Sequence, residues 1–243
     1  TSGFVGAGVP DALLKALGDR YAEEAHPRDL TLLFAAGQGD GKDRGLNRLA
    51  ASGLVRRIIG GHWGLIPKLA SRAVQGEIEG YNFPQGVISH LYRDIAAGKP
   101  GTISHVGLET FVDPRQGGGR VNDTTPEGLV ELITVAGQER LFYHAMPIHV
   151  ALLRGSTADE HGNVTMEREA LVLDNLAQAM AARNSGGVVI VQVDQIAAKG
   201  SLPARDVVIP AMLVDAVVVA PPELHMQTYA TQYNRYSTGR YKM

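Results

Sequence analysis

Val55-Arg56-Arg57-Ile58-Ile59-Gly60-Gly61-His62-Trp63-Gly64 is the stretch that decides the fold. A short β-branched run stops in a glycine turn, and Pro67 to Glu77 beyond it carries a helical pattern. The same strand, turn and helix recur on both sides. Leu30 to Ala35 reads as a buried strand that ends in Gly37-Gln38-Gly39-Asp40-Gly41, followed by a short helix over Asn47 to Ser52. Glu79 to Phe83 runs into Pro84-Gln85-Gly86, and Val87 to Ala97 continues as helix. Upstream, Pro10 to Glu24 has apolar residues at Leu13, Leu14 and Leu17, with Pro10 placed to start an amphipathic helix. Downstream, Ile148 to Leu153, Gly187 to Val193 and Val214 to Val219 read as core strands, and Glu167 to Ala182 as a helix. This alternation predicts an α/β domain with an open, mainly parallel sheet flanked by helices. Three segments depart from it. Leu129 to Val135 and Gln138 to Ala145 form a hairpin-like pair around Ala136-Gly137. Lys99 to Asn122, rich in glycine and proline and containing Gly117-Gly118-Gly119, reads as an irregular loop. From Pro221 onward the periodicity is lost.

The 243 residues suffice for one large α/β domain or two small ones. With 44% hydrophobic and 20% charged residues the balance is that of an ordinary globular chain. There is no cysteine, which removes disulfides, thiolate metal sites and cysteine nucleophiles together and fits a reducing, cytoplasmic setting. Lys plus Arg number 23 against 25 Asp plus Glu, so no basic excess exists to neutralise a nucleic-acid backbone. No apolar run approaches the ~20 residues of a membrane helix; Val207 to Ala220 is interrupted by Pro210 and Asp215. No signal peptide is visible. The chain opens at Thr1 directly in a glycine-rich turn of the kind that follows a strand. It closes on Tyr229, Tyr233, Tyr236 and Tyr241 with no final element. The expectation is a piece of a longer polypeptide.

In open parallel sheets ligands sit beyond the carboxyl ends of the strands, so the glycine turns are where a pocket is expected. The first turn, Ser2-Gly3-Phe4-Val5-Gly6-Ala7-Gly8-Val9-Pro10, has G-x-x-G-x-G spacing, the reverse of the dinucleotide-binding G-x-G-x-x-G. Glu23 and Glu24, at the distance of a ribose-binding acid, fall inside a helix. A tight strand-to-helix turn accounts for the same residues. Gln85, just after a strand and before a helix, is suited to aim its amide N–H groups at a developing oxyanion, or to serve as a polar helix cap. Asp159-Glu160-His161-Gly162-Asn163 is good turn chemistry, and Glu160 with His161 makes an acid–base pair only if the turn leaves solvent. The eight histidines show no H-x-x-x-H or H-E-x-x-H spacing, so no metal site is expected. His62 stands at a strand end, where it either lines the pocket or is a half-buried, hydrogen-bonded ring.

Five segments together resemble family I coenzyme A transferases, most of all the single-chain short-chain acyl-CoA (acetate or propionate) transferases. They are Ser2 to Pro10, Ala35-Ala36-Gly37-Gln38-Gly39-Asp40, Gly60 to Gly64, Asn82-Phe83-Pro84-Gln85-Gly86 and Arg154 to Asn163, in family order across residues 1–234. The resemblance implies the N-terminal domain of such an enzyme, of the NagB/RpiA-like fold, with residues 235–243 a linker or fragment end. It implies an active site between two similar domains and a ping-pong exchange through a glutamyl-CoA thioester. A carboxylate suits that chemistry because its adduct stays activated. Gln85 resembles the family's oxyanion donor, and Gly3, Phe4, Val5, Gly6 and Gly8 would line the acid pocket with Gln38 and His62 beside them. The apolar Phe4, Val5 and Val9 suggest a small acid, from acetate to butyrate. Coenzyme A enters as a substrate and no permanently bound cofactor is implied. The implied partners are an acyl-CoA, a short-chain carboxylate, a second CoA-transferase domain or subunit, and further copies in a homo-oligomer.

The family's nucleophile lies in a Glu-Asn-Gly element of the second domain, and no such tripeptide occurs here. The second domain and its glutamate are therefore expected to lie outside this chain, whose half should expose an apolar face. Two other readings remain open. One is a non-catalytic ligand-binding domain of the same fold, sensing a phosphosugar or an acyl-CoA. The other is a nicotinamide dehydrogenase, which the reversed glycine spacing opposes.

Overall fold

The structure is a computed structural model that describes residues 1–239. In chain order it contains α1 (Asp11–Glu24), β1 (Leu30–Phe34), β2 (Val55–Gly60), α2 (Pro67–Val74), β3 (Glu79–Asn82), α3 (Gln85–Ala96) and β4 (Gly101–Ser104). There follow β5 (Val130–Val135), β6 (Gln138–His144), β7 (Val150–Arg154), β8 (Thr157–Asp159), β9 (Val164–Thr165) and α4 (Asn175–Asn184). The last elements are β10 (Val188–Val193), β11 (Gln195–Ala197), β12 (Val207–Ile209) and β13 (Ala216–Val219).

Two three-stranded parallel sheets, β1-β2-β3 and β13-β10-β7, form the scaffold. Side chains alternate across a strand, and both faces of the first sheet are covered. Leu32, Phe34 and Ile58 join Leu14 of α1 and Leu69 of α2 in one core. Leu33, Ile59 and Tyr81 join Val87, Ile88 and Tyr92 of α3 in another. In the second sheet, Ala151, Leu153, Val189, Val191 and Val193 pack on Ala179 and Ala182 of α4. Helices α3 and α4 pack through Leu91, Ile95, Ala96 and Ala181, so the two halves share an interior. The expected α/β class with parallel sheets flanked by helices holds, with two further sheets attached. These are antiparallel β4-β6-β5 and mixed β11-β8-β9-β12.

Three expectations need correction. The helix expected from Glu167 starts only at Asn175. Glu169 is drawn inward to Arg154, Nε to Oε1 3.0 Å, and Leu173 takes a left-handed φ of 56°, so the preceding residues run as loop. The stretch Lys99 to Asn122 holds a strand, β4, paired with β6 from Gly101↔His144 to Ser104↔Leu141. A Cβ on Gly101 would lie 2.2 Å from the Tyr143 carbonyl oxygen, so this glycine marks a close approach of two backbones. Val9 is fully buried among Leu14, Phe34 and Leu46 and cannot face a ligand.

The segment after Pro221, aperiodic in sequence, is nonetheless tied into the interior. Arg154, 3% exposed at the end of β7, donates from Nη1 to the carbonyls of Met226 (2.7 Å) and Val9 (3.4 Å) and from Nη2 to that of His225 (3.3 Å). Its cross-strand partner on β10, Gln192, accepts at Oε1 from the amides of Ala12 and Leu13 at the start of α1. Gln192 also donates to the Leu224 carbonyl and lies 3.0 Å from His225 Nδ1. Two side chains at one register thus fasten α1, the first glycine turn and residues 224–226 to the second sheet. Arg235–Thr238 forms a single 3₁₀ turn, whereas Tyr241 and the rest of 240–243 lie outside the described residues.

Burial by itself would raise the Glu169 carboxyl, but contact with His225 and the charge of Arg154 outweigh it and hold the group below its usual range. Replacing Glu169 with Gln leaves the buried guanidinium without its counter-charge and should cost about 3–5 kcal/mol in denaturant unfolding. Because the folded carboxyl titrates below the unfolded value of about 4.3, its contribution is complete above that pH. It is lost as pH falls through the lower folded value. Parent and Glu169→Gln stabilities should therefore converge on acidification.

Candidate functional site

The ends of β1, β2 and β3 lie side by side, and glycines bring the turns beyond them into contact. The Gly61 amide donates to the Phe34 carbonyl and the Phe83 amide to the Gly60 carbonyl, extending the ladder past the strands. A Cβ on Gly61 would lie 2.2 Å from the Ala35 oxygen and 2.6 Å from Gln85 Cγ. A Cβ on Gly37 would lie 2.5 Å from His62 Nδ1. Glycine at 61 therefore seats Gln85 on the end of β2, and glycine at 37 seats His62 beside the end of β1. Both side chains are exposed.

Gln85 opens α3 with Pro84 as its cap residue, two positions ahead of the expected helix start. Proline fixes φ and cannot cap through its side chain, so the first N–H groups of α3 keep their donor capacity and the positive end of the helix dipole. No acidic residue occupies the first turn. A Cβ on Gly86 would meet nothing within 4 Å, so the helix end faces open space.

The first glycine turn joins this row through backbone. The Val5 amide donates to the Gly37 carbonyl (2.8 Å) and the Gly39 amide to the Val5 carbonyl (3.0 Å), while Phe4 and Ala7 exchange amide–carbonyl bonds at 2.9 Å. Val5 has φ 56°, a left-handed conformation that a β-branched residue adopts only under strain of about 1–3 kcal/mol. Phe4 and Val5 are 48% and 43% exposed, projecting from the turn. Gly3, Gly6 and Gly8 face inward, against Val9 and Gln38, against Tyr229, and against Leu173 respectively. Their open sides are filled by side chains, which leaves no backbone cradle for a dinucleotide pyrophosphate and disfavours the dehydrogenase reading.

The row thus gathers the Phe4–Val5 turn, Gly37, His62 and Gln85. Gln38 differs from the others. It is 1% exposed, and its amide is bound to Thr1, donating to the Thr1 carbonyl (2.9 Å) and accepting from the Thr1 hydroxyl (3.1 Å). Its side chain braces the turn from within. Glu160 and His161 stay in the Asp159 turn, where the Asp159 carboxylate accepts from the amides of His161 and Asn163, and Glu160 accepts from the Lys199 amide. Among the described residues no group of three or more His, Asp or Glu is placed to hold a metal. A cavity of about 320 Å³ between Tyr81, Arg120 and Glu127 contains none of the row's residues. The row is an open surface at the strand ends.

A family model for coenzyme A transferase matches residues 1–220. The chain belongs to the coenzyme A transferase family. It is 40% identical over 240 residues to acetate CoA-transferase YdiF of Escherichia coli K12, covering 98% of this chain and 45% of that protein. It is 47% identical over 214 residues to caffeate CoA-transferase of Acetobacterium woodii, covering 88% and 41%. It is also 29% identical to the alpha subunit of an acetate CoA-transferase of E. coli K12, spanning 87% of that subunit. The crystal structure of YdiF from E. coli O157:H7, described as a thioester complex with CoA, superposes with a TM-score of 0.95 at 40% identity. That match covers all of this chain and 47% of the other. The chain therefore spans about half the length of its longer transferase relatives. The family resemblance in the sequence is borne out, and with it the fold.

Two features of the site escaped the sequence. One is Tyr229, whose ring stands behind Gly6. The other is the Arg154–Glu169 pair that holds the segment leading to it. Arg154 did offer a signal, as a charge ending the apolar run Val150 to Leu153.

The glycine contacts generate a paired test. Gly61→Ala places a methyl against the Ala35 oxygen and should destabilise the fold by about 1–3 kcal/mol. Gly86→Ala meets no neighbour and replaces a helical glycine, so it should leave stability unchanged or raise it by up to about 1 kcal/mol. Urea unfolding of both variants distinguishes seating from mere composition.

Proposed function

We propose that this chain supplies the substrate and oxyanion half of a transferase that moves coenzyme A between a short-chain acyl-CoA and a carboxylic acid. The observation that carries the reading is the seating of Gln85, exposed at the first turn of α3, in one row with His62 and the Phe4–Val5 turn. The nucleophile would be a glutamate of a second domain or subunit. The row's openness supports this, as does the difference in length from the longer relatives. So do Leu171, Val172, Leu176, Met180 and Met212, all 39–80% exposed along and beside α4.

In this reading the glutamate carboxylate attacks the thioester carbonyl of the acyl-CoA and expels the CoA thiolate, giving an acyl–glutamyl anhydride. The thiolate then attacks the glutamyl carbonyl, releasing the first acid as its carboxylate and leaving a glutamyl-CoA thioester. The incoming carboxylate repeats the two steps in reverse, so no proton, electron or cofactor is consumed overall. Each addition puts negative charge on a carbonyl oxygen. The Gln85 amide and the first N–H groups of α3 are donors positioned before that charge develops, the arrangement that lowers such barriers most. Phe4 and Val5 would cover the acyl group. The small, apolar surface they offer favours acids of a few carbons over long chains.

The test uses the protein as expressed from its gene. It should exchange CoA between acetyl-CoA and propionate, and borohydride should trap the thioester after acyl-CoA alone. Failure of both ends the proposal, and a melting shift with a phosphosugar but not with CoA esters would favour a binding role. Gln85→Ala should lower kcat by about 100- to 1,000-fold, the cost of one oxyanion donor, with the fold intact by circular dichroism. An intact mass about twice that of this chain would put the glutamate on the same polypeptide.

A further inference from the structure

Tyr229 comes from the aperiodic segment that follows Pro221, yet it fits between two glycine turns of the opposite end of the chain. On one side, a Cβ on Gly6 would lie 2.6 Å from Cγ and Cδ2 of the ring and from the Tyr229 amide nitrogen. On the other, a Cβ on Gly45 would lie 2.6 Å from the hydroxyl oxygen. The hydroxyl is buried and has no hydrogen-bond partner, so the ring's shape is what the site uses. Arg44 holds the residue in place, donating to its carbonyl at 3.1 Å with the guanidinium 5.5 Å from the ring centroid.

The segment that carries Tyr229 is fastened on both sides of it. Upstream, Arg154 takes the carbonyls of His225 and Met226. Gln227 donates to the Arg168 carbonyl at 2.7 Å, and its own carbonyl-type Oε1 accepts from the Asn234 amide at 2.9 Å. The Thr228–Thr231 turn closes the segment around the ring. Arg154 also reaches the Val9 carbonyl, so the same guanidinium grips the segment and the end of the turn that the ring supports.

We propose that Tyr229 is a positioning residue of the transfer site. Its ring sets the position of the Phe4–Ala7 turn, and through it the exposed Phe4 and Val5 side chains that would meet the acid. The role as stated rests on the transferase reading above. The physical content is separable from it: without the ring, the turn loses its support behind Gly6 and the strained Val5 conformation can relax.

The experiment compares Tyr229→Ala and Tyr229→Phe with the parent by hydrogen exchange and by CoA exchange between acetyl-CoA and propionate. In Tyr229→Ala the amides of residues 3–9 should exchange at least about tenfold faster while those of β10 are unchanged, the mark of local opening. Its KM for the acid should rise about tenfold with kcat within about threefold, as expected when a binding surface moves but the reacting groups do not. Tyr229→Phe keeps the ring, loses only an unpartnered hydroxyl, and should match the parent in both readouts. Arg154→Lys keeps the charge beside Glu169 but not the fork, and should loosen residues 225–229 and 3–9 together. Unchanged exchange of residues 3–9 in Tyr229→Ala overturns the proposal. So does Tyr229→Phe behaving like Tyr229→Ala, or a fall in kcat with KM unchanged. If the parent itself transfers no CoA, the transferase reading fails, and the exchange of residues 3–9 still decides whether the ring supports the turn.

Discussion

The Arg154 guanidinium is the point on which the site's architecture hangs. It ends a buried parallel strand, where a charge is costly unless every donor is used. Glu169 neutralises it at Nε, and the carbonyls of Val9, His225 and Met226 accept from its two terminal nitrogens. Three stretches distant in the chain meet on one planar group, which a lysine's single ammonium could not arrange. Satisfying this charge keeps the residues before Asn175, expected to be helical, in a loop and gives the aperiodic residues after Pro221 a fixed course.

On the first sheet the governing constraint is contact distance. Strands β1 to β3 stop level with one another, and the turns beyond them touch because Gly37 and Gly61 have no side chain. The surface so made is chemically simple: an amide side chain at a helix start, an imidazole, and two apolar side chains on a strained turn. It contains donors and a covering surface but no activated nucleophile. Such a set suits the stabilisation of charge that another group creates.

The turn at Phe4–Ala7 joins the two systems. Its amide and carbonyl at Val5 bond to the Gly37–Gly39 turn beyond β1 of the first sheet, and Tyr229 behind Gly6 belongs to the segment that Arg154 holds on the second. Val5 keeps a conformation unfavourable for a β-branched side chain because both supports act on it.

Much of the fold was legible without coordinates. The strands at Leu30, Val55, Glu79 and Gly187, the first three helices and the hairpin about Ala136-Gly137 follow from local periodicity and local breakers, and those act within a few residues. The same locality made the strand-end turns, and therefore Gln85, His62 and the Phe4–Val5 pair, visible as candidates. What local pattern could not carry was any role set by a distant partner. Gly101 reads as a breaker until Tyr143 lies against it, and Gln38 reads as a pocket residue until Thr1 takes its amide. Val9 reads as pocket-lining until Leu14 and Phe34 enclose it, and Glu169 reads as helix until Arg154 claims it. Tyr229 reads as the tail of a chain until Gly6 and Gly45 receive its ring. The sequence by itself determined the elements, their order and the chemistry available at the strand ends. The tertiary structure decided which of those groups face solvent and which are spent inside, because buried polar groups and close backbone contacts are satisfied by residues far away in the chain.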